Sequence, residues 1–205
     1  MTSQTRNTLL LCLLSGVVCG LLTASQCGAL EKECQVGAVG SYDSWTSWLH
    51  WINWVPGAVY GFLFSLANVQ KDLAQRNRRI GLYAVASASI YLMAGLIFKA
   101  ASAYLMASFQ ILGLFGAGII TGLIGALALS FAANLLTRAS INFRGADASL
   151  VLAATIGAIA GLLFTVLGFY GGDNNLVFWP IAFVVWQVAV GVSISTSLQR
   201  WAASA

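Results

Sequence analysis

Charged residues cut this chain into long uncharged windows. Between Arg6 and Glu31 lie 24 residues without Asp, Glu, Lys or Arg; Asp43 to Lys71 encloses 27, Arg79 to Lys99 encloses 19, and Lys99 to Arg138 encloses 38. Asp147 to Asp173 encloses 25 and Asp173 to Arg200 encloses 26. A helix needs about 20 apolar residues to cross the hydrocarbon of a bilayer. Five windows therefore hold one span each. The 38-residue window fits one span preceded by an amphipathic shoulder, or two cramped spans.

The basic residues decide between these. Cytoplasmic loops carry the excess of Lys and Arg. Six spans with both ends inside place Arg6, Lys71, Arg76, Arg78, Arg79, Arg138, Arg144 and Arg200 on the inner side, with Lys32 and Lys99 outside. Splitting the long window would move Arg138 and Arg144 outside and set the last two loops against the rule. The expectation is an all-α, polytopic transmembrane helix bundle with six spans and both termini cytoplasmic. The spans fall near 8–26, 50–69, 80–98, 110–136, 149–170 and 176–198, and residues 1–205 form a single integral membrane domain. Topology and compactness suit a bacterial inner membrane.

Composition sharpens the picture. The chain is 59% hydrophobic and 8% charged, whereas soluble domains carry about 25% charged residues. So few charges cannot cover a water-facing surface; the medium is membrane lipid. The net charge of +4 then reports topology. No acidic or basic block marks a nucleic-acid partner.

Four of the seven tryptophans crowd one stretch, SWTSWLHWINWVPG, at Trp45, Trp48, Trp51 and Trp54. A step of three residues turns a helix back by about 60°, so the four indoles fan over roughly half its circumference. A fan suits a helix end held at the headgroup layer, where indole keeps its N–H wet and its ring apolar. The sharper reading is an aromatic pocket at the outer face with His50 as its polar member, since aromatic cages hold cationic or flat ligands.

Inside the spans no Asp, Glu, Lys, Arg or His lies deep. Proton-coupled carriers and many ion pathways depend on such groups, so those classes are disfavoured. The deepest strongly polar side chain is Gln187, beside Trp186 and Phe183; Ser130, Asn134 and Asn53 lie nearer span ends. A lone glutamine commonly bonds across helices. It also suits contact with a neutral ligand. The candidate ligand-binding set is therefore Trp48, His50, Trp51, Trp54, Trp179, Phe183, Trp186 and Gln187.

Glycines recur four apart within spans: Gly16/Gly20, Gly57/Gly61, Gly118/Gly122 and Gly157/Gly161. In lipid, small residues let helix backbones approach closely. These pairs predict a tight interior of helices one, two, four and five, with helix four at its centre. The first segment also admits a second reading, a signal peptide cleaved after Thr23-Ala24-Ser25. We read it as retained, because Gly16 and Gly20 share a face with Cys12, Cys19 and Thr23. Cys27 and Cys34 fall in the outer loop and can bridge if that side is oxidising.

No motif in the sequence carries catalysis. There is no Gly-x-Ser-x-Gly elbow, no His-Glu-x-x-His and no phosphate loop. No cofactor or metal site is expected. The inner loop QKDLAQRNRR, 70–79, holds orientation and offers a docking point for a protein partner or anionic headgroups. Two classes of function remain. One is a binding or transport component for a neutral or amphipathic small molecule, with a cavity between helices two, four and six lined by Trp54 and Gln187. The other is a non-catalytic scaffold or assembly subunit. Reporter fusions at the two ends should both report the cytoplasm; ends on opposite faces of the membrane would overturn the even-span topology.

Overall fold

The computed structural model describes residues 2–29, 54–69, 75–137, 146–170 and 175–203. They form six α-helices: α1 (Ser3–Ala29), α2 (Val55–Asn68), α3 (Arg76–Phe109), α4 (Ile111–Thr137), α5 (Ala146–Tyr170) and α6 (Asn175–Ala203). Hydrocarbon offers backbone N–H and C=O groups no water, so a segment immersed in it must bond internally. Five of the six helices, all but α2, are long and apolar enough to cross a membrane. The protein is an integral membrane helix bundle.

Each helix packs on its neighbours in chain order, and α6 closes back on α1. The result is a ring of six. One end of the ring is fixed by polar contacts. Thr2 donates to Gln199, Gln4 donates to Asn68, and a guanidinium nitrogen of Arg79 reaches the carbonyl of Leu136. The starts of α1 and α3 thus share an end with the finishes of α2, α4 and α6. Arg6, Arg76, Arg78 and Arg79 cluster there, which makes it the cytoplasmic end by the charge rule. The chain enters and leaves the bundle on the same side.

Local chemistry sets the helix ends. Pro56 sits in the first turn of α2, where its missing N–H is no loss. Asn68 ends α2, because Val69 is extended. Gln75 and Gln110 bracket α3 with positive φ angles of 61° and 50°, unusual for residues that carry a Cβ. At Gln110 the chain reverses from α3 into α4, its N–H bonded to the carbonyl of Met106 at 3.0 Å and its carbonyl accepting from Gly113 at 2.9 Å.

Two spans differ from expectation. Helix α3 has 34 residues, not the 19 of window 80–98. Lys99 marks a water boundary but is no helix breaker, and Ala100, Ala101 and Ala103 continue the helix. Residues 100–109 are therefore the end of α3, not a shoulder of α4. Helix α2 has 14 described residues, about 21 Å of helix, against an expected span of 50–69. Residues 50–53 lie outside the described residues.

The glycine pairs sit at helix crossings, but not in the grouping that the sequence predicts. They form three separate seams. Gly16 and Gly20 face Val184 and Pro180 of α6; a Cβ on Gly16 would stand 2.6 Å from the Val184 Cα. Gly57 and Gly61 face Ser87, Tyr91 and Ala84 of α3. Gly118 and Gly122 interlock with Gly161 and Gly157 of α5. Helix four is thus one member of the ring, not its hub. What fills the middle is aromatic. Tyr60, Phe64, Tyr83, Leu129, Val190 and Ile194 form a fully buried cluster. Large side chains such as Val151, Ile159 and Phe131 point outward, as expected where the solvent is itself apolar.

Gly122→Leu should destabilise the bundle by about 1–3 kcal/mol or more, since its side chain would collide with the Gly157 carbonyl. Gly95→Leu, with nothing within 4 Å, should stay within about 0.5 kcal/mol of the parent. Denaturant titration in detergent, followed by circular dichroism, checks both.

Candidate functional site

The most distinctive polar group in the interior is Gln187, on α6 and fully buried. Its Nε2 donates to the Tyr91 hydroxyl of α3 at 3.3 Å, while its Oε1 has no hydrogen-bond partner. Because Tyr91 can donate or accept, turning the amide over would only exchange which atom is left over. A second orphan lies nearby. The Tyr60 hydroxyl of α2 is buried without a partner and stands 3.3 Å from where a Cβ on Gly191 would be. Gln187 and Gly191 are one turn apart on α6 and share a face. Two buried polar atoms without partners thus lie on the side of α6 that carries Gln187 and Gly191. A buried polar atom left unpaired is destabilising, so such a cluster calls for an explanation.

Aromatic rings wall this position. Tyr91 meets Trp186 edge-on, with centroids 5.2 Å apart. Tyr60 lies 6.2 Å from Trp186 and 5.7 Å from Phe64, and Phe64 lies 5.4 Å from Tyr83. Nearer the non-cytoplasmic end, Phe164 of α5 meets Phe183 edge-on at 5.2 Å and Trp179 at 5.7 Å. Tyr91 packs against both groups.

The structure therefore brings Trp186 and Gln187 onto Tyr91, with Trp179 and Phe183 in the adjoining cluster around Phe164. Trp54 sits at the start of α2 and is 40% exposed. Trp48, His50, Trp51 and Cys34 lie outside the described residues, as does the side chain of Cys27. Cys12 and Cys19 are free and buried. Between α2, α4 and α6, Tyr60, Leu129, Trp186 and Val190 pack together. Among the described residues no three His, Cys, Asp or Glu side chains come together to hold a metal ion.

A second polar cluster, at the cytoplasmic end, is of a different kind. The Asn68 amide of α2 donates to Thr8 Oγ1 at 3.1 Å and to the Phe64 carbonyl at 2.9 Å. Its carbonyl oxygen accepts from Ser195 Oγ at 2.8 Å and from the Gln4 amide at 3.2 Å. These groups saturate one another. The cluster ties α1, α2 and α6 together and leaves little for a ligand. Sequence reading passed over Asn68, Tyr60 and Tyr91. Asparagine at the foot of an apolar segment was the available signal for the first; the tyrosines gave none that separates core from interface.

Comparisons with protein-family models, with characterised proteins and with solved structures return no match for this chain.

Asn68→Leu should cost about 1–2 kcal/mol by breaking the three-helix cluster. Combined with Ser195→Ala, the total should be smaller than the sum of the single effects, because both remove the same bond. A double-mutant cycle on detergent unfolding tests this.

Proposed function

We propose that this membrane protein is a non-catalytic binding or transport component for a neutral or amphipathic small molecule, held at Gln187. One observation carries the reading: the Gln187 amide is fully buried, only half satisfied, and surrounded by Trp186, Tyr91 and Tyr60. A ligand hydroxyl or amide meeting Oε1 would complete the pairing, and the rings would cover its apolar part. The absence of any deeply placed charge in the sequence favours a neutral molecule over an ion. We place the protein in a bacterial inner membrane, with the aromatic segment at 45–54 on its outer side.

A scaffold or assembly role is the second reading, supported by α3. Gly81 has nothing within 4 Å, and Val85, one turn on along the same face, is exposed. Such a face can receive a helix of another subunit, and the basic segment at 70–79 offers a second contact.

Purification in mild detergent separates the two readings. Binding predicts a lone protein with a co-extracted small molecule, identified by mass spectrometry; stable stoichiometric protein partners favour the scaffold. On the binding reading, Gln187→Leu should lower retention of that molecule by roughly threefold to twentyfold, the equivalent of one interhelical-strength hydrogen bond, without unfolding the bundle. Unchanged retention would remove Gln187 from the site.

A further inference from the structure

A groove lies between α3 and α4 on the side that meets lipid. Ile90, Met93, Ala94 and Ile97 form one wall, Ile124 and Gly125 the other, and about 250 Å³ lies between them. Met93 and Ile124 are themselves exposed, so the groove opens outward. The one hydroxyl on its rim, Ser89, is engaged with the Val85 carbonyl at 3.0 Å. With its proton thus engaged, Ser89 offers a guest no donor, and the rest of the lining is apolar side chain and glycine. For scale, a dry apolar cavity of about 150 Å³ is enough to take up benzene.

Depth links this groove to Gln187. Leu136 and Gln199 both mark the cytoplasmic end. Gly125 lies eleven residues before Leu136, about 16 Å along α4, and Gln187 lies twelve before Gln199, about 18 Å along α6. Both are near the middle of a hydrocarbon layer roughly 30 Å thick. Trp186 and Tyr91 stand between the groove and the buried Gln187 amide. A Cβ placed on Gly125 would meet the Trp186 ring at 3.8 Å and nothing closer. Trp186 adjoins Tyr91, whose hydroxyl takes the Gln187 amide proton. On the other wall, Ile90 packs against the same core cluster as Tyr91 and Trp186.

We propose that this groove seats the hydrocarbon chain of a neutral lipophile whose single hydroxyl or amide group reaches Gln187 past the edge of Trp186. The proposal rests on the reading of Gln187 as a ligand contact, and narrows it: the ligand is a bilayer-dissolved molecule that enters sideways, not an aqueous solute. The chemistry is dictated by the walls. An apolar groove in hydrocarbon gives no gain to a polar chain, a charged head would be stranded at mid-depth, and one unpaired amide atom calls for one hydrogen-bonding group.

The test uses the intact protein in phosphatidylcholine vesicles with two photoreactive guests of equal tail length. One is a long-chain alcohol carrying a tail diazirine, the other a phosphatidylcholine carrying the same tail. Adducts are mapped by peptide mass spectrometry. The alcohol should label the 89–97 and 124–128 segments well above the lipid-facing surface of α5 around Ile159, and the phosphatidylcholine should not. Gly125→Leu, which fills the groove from its floor, should reduce alcohol labelling there roughly tenfold, as should Ala94→Leu from the opposite wall. Gln187→Leu should reduce it too.

Equal labelling by both guests, insensitive to Gln187→Leu, would mean ordinary boundary lipid and overturn the proposal. Protection of the groove from both guests would mean that a protein helix covers it, and would also overturn it. If Gln187→Leu lowers alcohol retention while the groove stays unlabelled, the ligand contact survives and the sideways route fails. If either groove variant does not fold, the other variant and the wild-type adduct map still decide.

Discussion

Helices immersed in hydrocarbon gain nothing by hiding apolar surface from one another, because lipid tails are as apolar as leucine. Association must come from contact so close that lipid cannot match it. Here that contact is made by glycine. At Gly16/Gly20, Gly57/Gly61 and the Gly118–Gly122–Gly157–Gly161 interlock, backbone lies directly on the partner helix. Everything else in the ring depends on these three seams. They fix which helices are neighbours, and so which large side chains are driven into the middle.

With the seams made of the smallest residue, volume has to be supplied elsewhere, and aromatic rings supply it. Tyr60, Phe64, Tyr83, Tyr91 and Trp186 form a nearly continuous column through the bundle. Rings of this size carry rigid hydroxyls with them, which is how the Tyr60 oxygen comes to be stranded. At the cytoplasmic end the opposite solution holds. Short side chains, Asn68, Thr8 and Ser195, close on one another completely. The Asn68 cluster is thus a satisfied lock, whereas Gln187 and Tyr60 each keep an unpartnered atom. That contrast, more than the presence of polar atoms as such, is why the middle is the better candidate for binding.

The spans were legible because charge is expensive in hydrocarbon, so uncharged windows and membrane-buried segments coincide. The end of α3 was not legible, since Lys99 reports where water begins and not where helix stops. The glycine faces could be read from spacing, but their partners could not: a pair four residues apart names a face of one helix and says nothing about which helix meets it. The site was half legible. Gln187 stands out as the deepest amide, and Trp179, Phe183 and Trp186 follow from its neighbourhood on α6. Tyr91 and Tyr60 do not, because tyrosine suits an interface as well as a core, and only the fold brings residue 91 to residue 187.

The seam that closes the ring joins its earliest helix to its latest. During biosynthesis α1 emerges from the ribosome long before α6, and domains are built in that order. Until Val184 and Pro180 arrive, Gly16 and Gly20 present bare backbone to whatever lies beside them. The same interval leaves Thr8 without Ser195. A nascent chain of five helices therefore carries a sticky, polar-flecked strip that the finished protein hides.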